Sequence, residues 1–545
     1  MAAASDTTGE TATITGGQLM ARQLVEEGVT HIFGIPGVQL DYATNGLSTV
    51  RDDIEFVAVR HEQTASYAAD GYYRSSGRVG VGLVVPGPGV LNAGAGLVTA
   101  LACSSKILLV SGQIPSRGIG QGLGMVHEIP DQSAILASLC RHSELVVDPA
   151  HVAGALHGAM ARLASGPGPV AVELPPNVLS GAAPTTVIGR EAPPTPSAGS
   201  ATELESAAEM LAASQRPAIY AGGGAVVGDA WDALAALAET LGAPLTCSSN
   251  GRGAYDDRHP LATMLMAGKE ILRRADCVVV VGSRGLDMRS GPLPVAEDAT
   301  VISINIDEAA FGEPRSFDAT VLGDGGAACR ALAERLDERP PWVDDLDDVR
   351  ARAEEKIAAL QPQMGFVHAL RAAMPDNAVL VNELTQVGYA SMLGFPVHSP
   401  RSYVYPGYQG TLGYGYPTAI GAAVANPDRA VVSISGDGGF GYGMSELATV
   451  ASYDIPLVGV VFHDGAYGNV QRMHKNQFDG DHYGTDLKNP DFAALAAAFD
   501  ISGHSVETPD QLESTLRDAI ETRRPTLIGV PIGITPDPWG LITSR

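Results

Sequence analysis

The chain has 545 residues, enough for about three or four domains, so a single small binding module is excluded. Lys and Arg number 35 against 61 Asp and Glu, a formal charge of −26 that repels polyanions and gives no footprint for nucleic acid or an anionic membrane. Charged residues are only 18% of the chain and apolar ones 45%, the balance of a heavily buried α/β protein rather than a disordered one.

In chain order, the opening MAAASDTTGETATITGG has neither a basic n-region nor an apolar h-region, so no secretory signal is expected. HIFGIPG, EFVAVRHE, VGVGLVVPGPG and KILLVSGQIP follow as apolar runs ending in Gly or Pro turns, separated by amphipathic stretches such as GGQLMARQLVEEGV. The uncharged stretch 79–105 is long enough to raise a membrane span. Pro86-Gly87-Pro88-Gly89 interrupts it, and a strand, a turn and a buried helix are expected instead. Residues 183–201 and 337–354 have linker composition and divide the chain into blocks 1–185, 200–337 and 355–545.

The middle block repeats the scheme with RPAIYAGGGAV, APLTCSS, CVVVVGS and TVISINID. Its Gly222-Gly223-Gly224 follows a strand, but position 227 is Val, so the dinucleotide fingerprint is incomplete and a structural turn is expected. NAVLVNE, RAVVSISGDGG and IPLVGVVFHDG do the same in the third block. Apolar runs alternating with Ala- and Leu-rich stretches predict an α/β protein of three doubly wound parallel-sheet domains, with ligand sites at the carboxyl edges of the strands. The five cysteines show no ligand spacing and read as reduced core residues of a cytoplasmic protein.

The third block carries the most specific chemistry. Gly436-Asp437-Gly438-Gly439 follows RAVVSI, and one helix and one strand later the next apolar run ends in Asp464. Adjacent parallel strands would bring both acids to one sheet edge. The glycines permit close backbone approach, and two carboxylates with a backbone carbonyl suffice for Mg²⁺, which takes its other ligands from phosphate and water.

These residues resemble the thiamine diphosphate enzymes related to acetolactate synthase, pyruvate oxidase and benzoylformate decarboxylase, and the resemblance covers nearly the whole chain. It implies a pyrimidine-binding first domain, a central domain and a diphosphate-binding third domain. It also implies that Asp437, Asp464 and the carbonyl of Ala466 hold Mg²⁺, with Gly436, Gly438, Gly439, Tyr467, Gly468 and Asn469 around the diphosphate. The family usually has Asn-Asn where this chain has His463-Asp464.

Three further segments match. Arg60-His61-Glu62-Gln63 corresponds to the stretch of the activating glutamate, so Glu62 is expected to bond the pyrimidine N1′ and to act in general acid/base catalysis. In Gly407-Tyr408-Gln409-Gly410-Thr411-Leu412-Gly413, the Gly410 carbonyl and Leu412 N–H correspond to groups that hold the aminopyrimidine, and the Leu412 side chain to the wedge under the cofactor. Asn382-Glu383-Leu384-Thr385-Gln386 corresponds to a stretch whose Thr385 and Gln386 add bonds to the diphosphate. Pro36 belongs to the cofactor set. Val38, Gln39, Gln113, His127 and the segment 467–474 are expected near the reacting carbon, with His61 and His127 as proton carriers.

The resemblance implies decarboxylation of a 2-oxo acid with transfer to a carbonyl acceptor, in a homodimer or homotetramer whose Glu62 and Asp437 meet across chains. Met473 stands at the substrate-selecting Trp position of acetolactate synthase, Val126-His127-Glu128 replaces Phe-Gln-Glu, and 261–270 has no counterpart of the flavin-contacting segment. FAD and the biosynthetic acceptor are therefore not expected. The alternatives are a simple decarboxylase, a C–C lyase or hydrolase, and a silent homologue.

Overall fold

The computed structural model describes residues 13–286, 291–312, 316–533 and 535–543. The chain divides into two compact units. One comprises residues up to Ala69, Val79–Leu101 and Lys106–Pro194; the other comprises Asp70–Arg78, Ala102–Ser105 and Thr195 onward.

In the first unit β1 (Thr13–Thr15) is followed by β2 (His31–Gly34), β3 (Glu55–Ala58), β4 (Gly80–Val84), β5 (Ile107–Gly112), β6 (His142–Leu145), β7 (Val170–Leu174) and β8 (Ala182–Pro184). β1 and β8 pair antiparallel; the rest form a parallel sheet in the order β3-β2-β4-β5-β7-β6. β4, β5 and β7 are buried at every position, which is why they read as unbroken apolar runs rather than alternating ones. The helix Gly16–Glu26 starts with a capping box between Thr15 and Gln18. It crosses Asp41–Ser48 at backbone distance, since a Cβ on Gly17 would stand 1.9 Å from the Tyr42 carbonyl oxygen. The stretch 79–105 is β4, a turn and the helix Pro88–Cys103; no described helix is long and apolar enough to cross a membrane.

The middle block contributes β9 (Pro217–Ala221), β10 (Leu245–Cys247), β11 (Cys277–Val281), β12 (Thr300–Asn305) and β13 (Ala319–Leu322), parallel in the order β10-β9-β11-β12-β13. The third contributes β14 (Val379–Asn382), β15 (Tyr403–Val404), β16 (Val431–Gly436), β17 (Leu457–His463), β18 (Ser502–Ser505) and β19 (Thr526–Pro531), parallel in the order β15-β14-β16-β17-β19-β18. Counted within their blocks, the first and third sheets share one strand order. The three predicted α/β domains with parallel sheets are thus present.

One stretch differs from its linker composition. Residues 346–354 open a helix, Leu346–Ala358, whose buried Leu346, Val349, Ala353 and Ile357 form an i, i+3, i+7, i+11 stripe diluted in the sequence by acids and arginines. The strand order reverses between β2 and β4, β9 and β11, and β14 and β16, and open parallel sheets bind ligands at such points.

Candidate active site

In the third sheet the turns after β14, β16 and β17 lie side by side at the carboxyl edge. Gly436 pairs in register with Phe462, so Asp437 and Asp464 leave neighbouring strands at nearly the same level. Asp437 is 6% exposed and opens the helix Asp437–Gly443. Its Oδ2 accepts from Gly465 N–H at 2.9 Å and Asn489 Nδ2 at 2.6 Å, and its Oδ1 from Gly438 N–H at 3.0 Å. Asp464 Oδ1 accepts from Ala466 N–H at 3.1 Å. Burial, and then the charge of Asp437, push the Asp464 carboxyl up to about 6, while Arg472 pulls the other way. An acid pushed toward its neutral form by a neighbouring carboxylate is well placed to share a divalent cation with it.

The glycines around them define a cradle. A Cβ at Gly468 would stand 2.0 Å from Asp464 Oδ2 and 3.0 Å from Gln386 Nε2, and one at Gly436 2.9 Å from Thr385 Oγ1. A Cβ at Gly438 would stand 2.7 Å from the Tyr467 ring. Two helices, Asp437–Gly443 and Gly468–Gln477, begin here, and the donors are hard oxygens suited to Mg²⁺. Among the described residues no three His, Cys, Asp or Glu side chains cluster as a metal site.

After β14, Thr385 caps the helix Gln386–Gly394 and both Thr385 and Gln386 are buried. Glu383, given no role by the sequence motif, is 1% exposed and accepts from Gly413 N–H at 2.7 Å and Gly415 N–H at 3.2 Å. Burial pushes its carboxyl up to about 7. A Cβ on Gly439 would stand 1.9 Å from Glu383 Oε1, so one carboxyl group braces the end of β14, the 410–415 segment and the helix carrying Asp437. In that segment Gly410 and Gly413 have φ of +56° and +81°, and between these left-handed turns Leu412 is presented 40% exposed.

The first unit brings its own residues to the carboxyl edge of its sheet. Glu62 opens the helix Glu62–Ser76 just after β3, and its Oε2 accepts from Asn92 Nδ2 at 2.9 Å. His61 Nδ1 accepts from Gln63 N–H. Pro36 is exposed in the turn after β2, next to Val38, which is 73% exposed. Gln39 and His127 meet: Gln39 Oε1 lies 2.9 Å from His127 Nδ1, and Gln39 Nε2 donates to the Val126 carbonyl. His127 itself has a φ of +68°.

Gln113 follows β5 directly. It is 5% exposed, its Nε2 donating to Glu173 Oε2 and its Oε1 accepting from Ile114 N–H. Gln132 and Ser133 donate to the same buried carboxyl group, which burial shifts upward. Glu383 lies within the stretch 382–386 and Arg472 within the segment 467–474, though neither was given a role of its own, while Asn92, Glu173 and Asn489 lie at no motif's chemical position.

Comparison with known proteins identifies all three blocks. Residues 14–135 match the thiamine pyrophosphate enzyme N-terminal TPP binding domain, 204–332 the central domain and 386–530 the C-terminal TPP binding domain. The chain belongs to the thiamine pyrophosphate enzyme family. It is 35% identical over 534 residues to a probable 2-ketoarginine decarboxylase of Pseudomonas aeruginosa, covering 95% of this chain and 94% of that protein. A probable acetolactate synthase large subunit of Methanocaldococcus jannaschii is 30% identical over 555 residues (95% and 92% covered). The acetolactate synthase isozyme 3 large subunit of Escherichia coli is 30% identical over 539 (94% and 93%).

Proposed function

We propose that the protein is a thiamine diphosphate and Mg²⁺ enzyme that decarboxylates a 2-oxo acid and joins the remaining acyl unit to a carbonyl acceptor. The observation that carries this is the pairing of Asp437 and Asp464 on adjacent strands beside two helix N-termini, within a chain of this family. When bound, the cofactor supplies a nucleophilic carbon and the electron sink for loss of CO₂.

The chain's residues bind, orient and manage protons. Asp437, Asp464 and the Ala466 carbonyl would hold Mg²⁺. The N–H groups at Gly438, Gly439, Gly468 and Asn469, with Thr385 and Gln386, would hold the diphosphate. Leu412 offers the bulk that fixes the ring geometry, and Gly410 the backbone contact to the pyrimidine. Glu62, oriented by Asn92, would hold the proton at the pyrimidine N1′. His61, His127 with Gln39, and Met473 face the substrate's path. The Glu62 edge of one copy is proposed to meet the Asp437 edge of another, in a cytoplasmic homodimer or homotetramer; FAD is no part of the proposal.

A simple decarboxylase is the second reading, favoured by the relative named a probable 2-ketoarginine decarboxylase. Screening 2-oxo acids for CO₂ release, with and without an aldehyde, decides between them. A ligation product supports the first reading and free aldehyde alone the second; no CO₂ from any acid with cofactor and Mg²⁺ contradicts both. Glu62→Gln is expected to lower the turnover by about 10²–10⁴-fold.

A further inference from the structure

Arg472 stands in the second turn of the helix Gly468–Gln477, with its side chain 14% exposed. Its guanidinium reaches three segments that are far apart in sequence. Nη1 donates to Gln386 Oε1 at 2.8 Å, Nη2 donates to Asn469 Oδ1 at 2.8 Å, and Nη2 pairs with Asp537 Oδ1 at 3.3 Å. The C-terminal segment repeats the pattern: Thr535 Oγ1 donates to Gln386 Oε1 at 2.9 Å and Trp539 Nε1 to Asn469 Oδ1 at 2.8 Å. Trp539 in turn packs against Tyr389, ring centroids 5.0 Å apart.

Each of these two amide oxygens therefore takes two donors, and an amide whose oxygen is so engaged has a fixed flip. The NH₂ groups must face the other way. Gln386 Nε2 lies 3.0 Å from where a Cβ of Gly468 would be, at the helix start assigned above to the diphosphate. Left to rotate, Gln386 would present an oxygen to an anion in half of its orientations. The Asn469 NH₂ group faces Met473 Sδ at 3.9 Å. We propose that Arg472 is a positioning residue of the diphosphate cradle, anchored through Asn469 and holding Gln386 so that its NH₂ group is offered to the phosphate oxygens.

The planar fork matters, since a lysine supplies charge without holding two acceptors in one plane. The inference rests on the thiamine diphosphate reading, and its test separates the two. Binding of thiamine diphosphate to the cofactor-free protein with saturating Mg²⁺ is measured by calorimetry for the wild type, Arg472→Gln, Arg472→Lys and Thr535→Val, with competition by magnesium pyrophosphate.

Wild-type protein that does not bind overturns the cofactor reading itself. With wild-type binding in place, Arg472→Gln should weaken affinity by about 10–100-fold, the range seen when outer-sphere partners of a ligand site are removed. Pyrophosphate competition should weaken by the same factor. Arg472→Lys should recover only part of the loss, and Thr535→Val should cost less than Arg472→Gln. The inference is overturned if Arg472→Gln or Arg472→Lys binds like the wild type, or if pyrophosphate competition is unchanged while thiamine diphosphate weakens.

Discussion

Two glycine turns in this chain occupy the same place in their sheets and serve different ends. Gly222–Gly224 follows β9 and Gly436–Gly439 follows β16, each at a point where the strand order reverses. In the middle sheet the room left by glycine is taken by the protein's own backbone: a Cβ on Gly222 would stand 2.4 Å from the Gly282 carbonyl oxygen, and one on Gly224 2.8 Å from the Gly282 Cα. In the third sheet the glycines of the turn face side chains instead, Gly436 the Thr385 Oγ1, Gly438 the Tyr467 ring and Gly439 the Glu383 Oε1, and the turn carries an acid of its own. Glycine at a switch point thus marks a close approach; what approaches is decided by the neighbouring turns.

The difference can be broken most severely at the acid. Asp437→Ala should weaken Mg²⁺-dependent binding of thiamine diphosphate by more than about 100-fold, beyond the effect of an outer-sphere change, measured by calorimetry on the cofactor-free protein. A matched pair of alanine substitutions sharpens it. Gly439→Ala drives a methyl group into the Glu383 carboxyl and should cost at least about 10-fold in affinity, by the same outer-sphere reasoning. Gly224→Ala meets Gly282 instead and should cost about 1–3 kcal/mol of stability by overpacking, with affinity unchanged. Equal effects of the two on affinity would erase the distinction.

The smallest effect concerns pH. The Glu383 carboxyl, ordinary near 4.5, is pushed up to about 7 by burial, so the folded chain keeps a proton that the unfolded chain releases. Its contribution to stability is full below about 4.5 and is lost as pH rises to about 7. Glu383→Gln cannot ionise but offers one acceptor fewer to the Gly413 and Gly415 N–H groups, so it should melt below the wild type at pH 5 and gain on it toward pH 8, by up to about 3 kcal/mol. Melting curves of the cofactor-free proteins across that range test this; parallel curves would contradict it.

Much of this was legible in the sequence. The buried strands are continuous apolar runs stopped by glycine, and Asp437 and Asp464 are separated by a helical stretch and one strand, which a parallel sheet turns into adjacency. The helix Leu346–Ala358 was hidden because its apolar stripe is sparse among charges. The bond of Gln113 to the buried Glu173 on β7 could not be read from either segment alone. Glu383 and Arg472 stand inside motif stretches, but their particular roles were hidden for a related reason: each links segments distant in sequence, and such roles exist only once the sheet has brought them together.

The central claim is that the third sheet's turns hold thiamine diphosphate through a divalent cation. Calorimetric titration of the cofactor-free wild-type protein with thiamine diphosphate, once with Mg²⁺ and once with a chelator, tests it most directly. Saturable binding with Mg²⁺ that disappears with the chelator is the predicted result. Binding that is absent in both conditions, or equal in both, would contradict it.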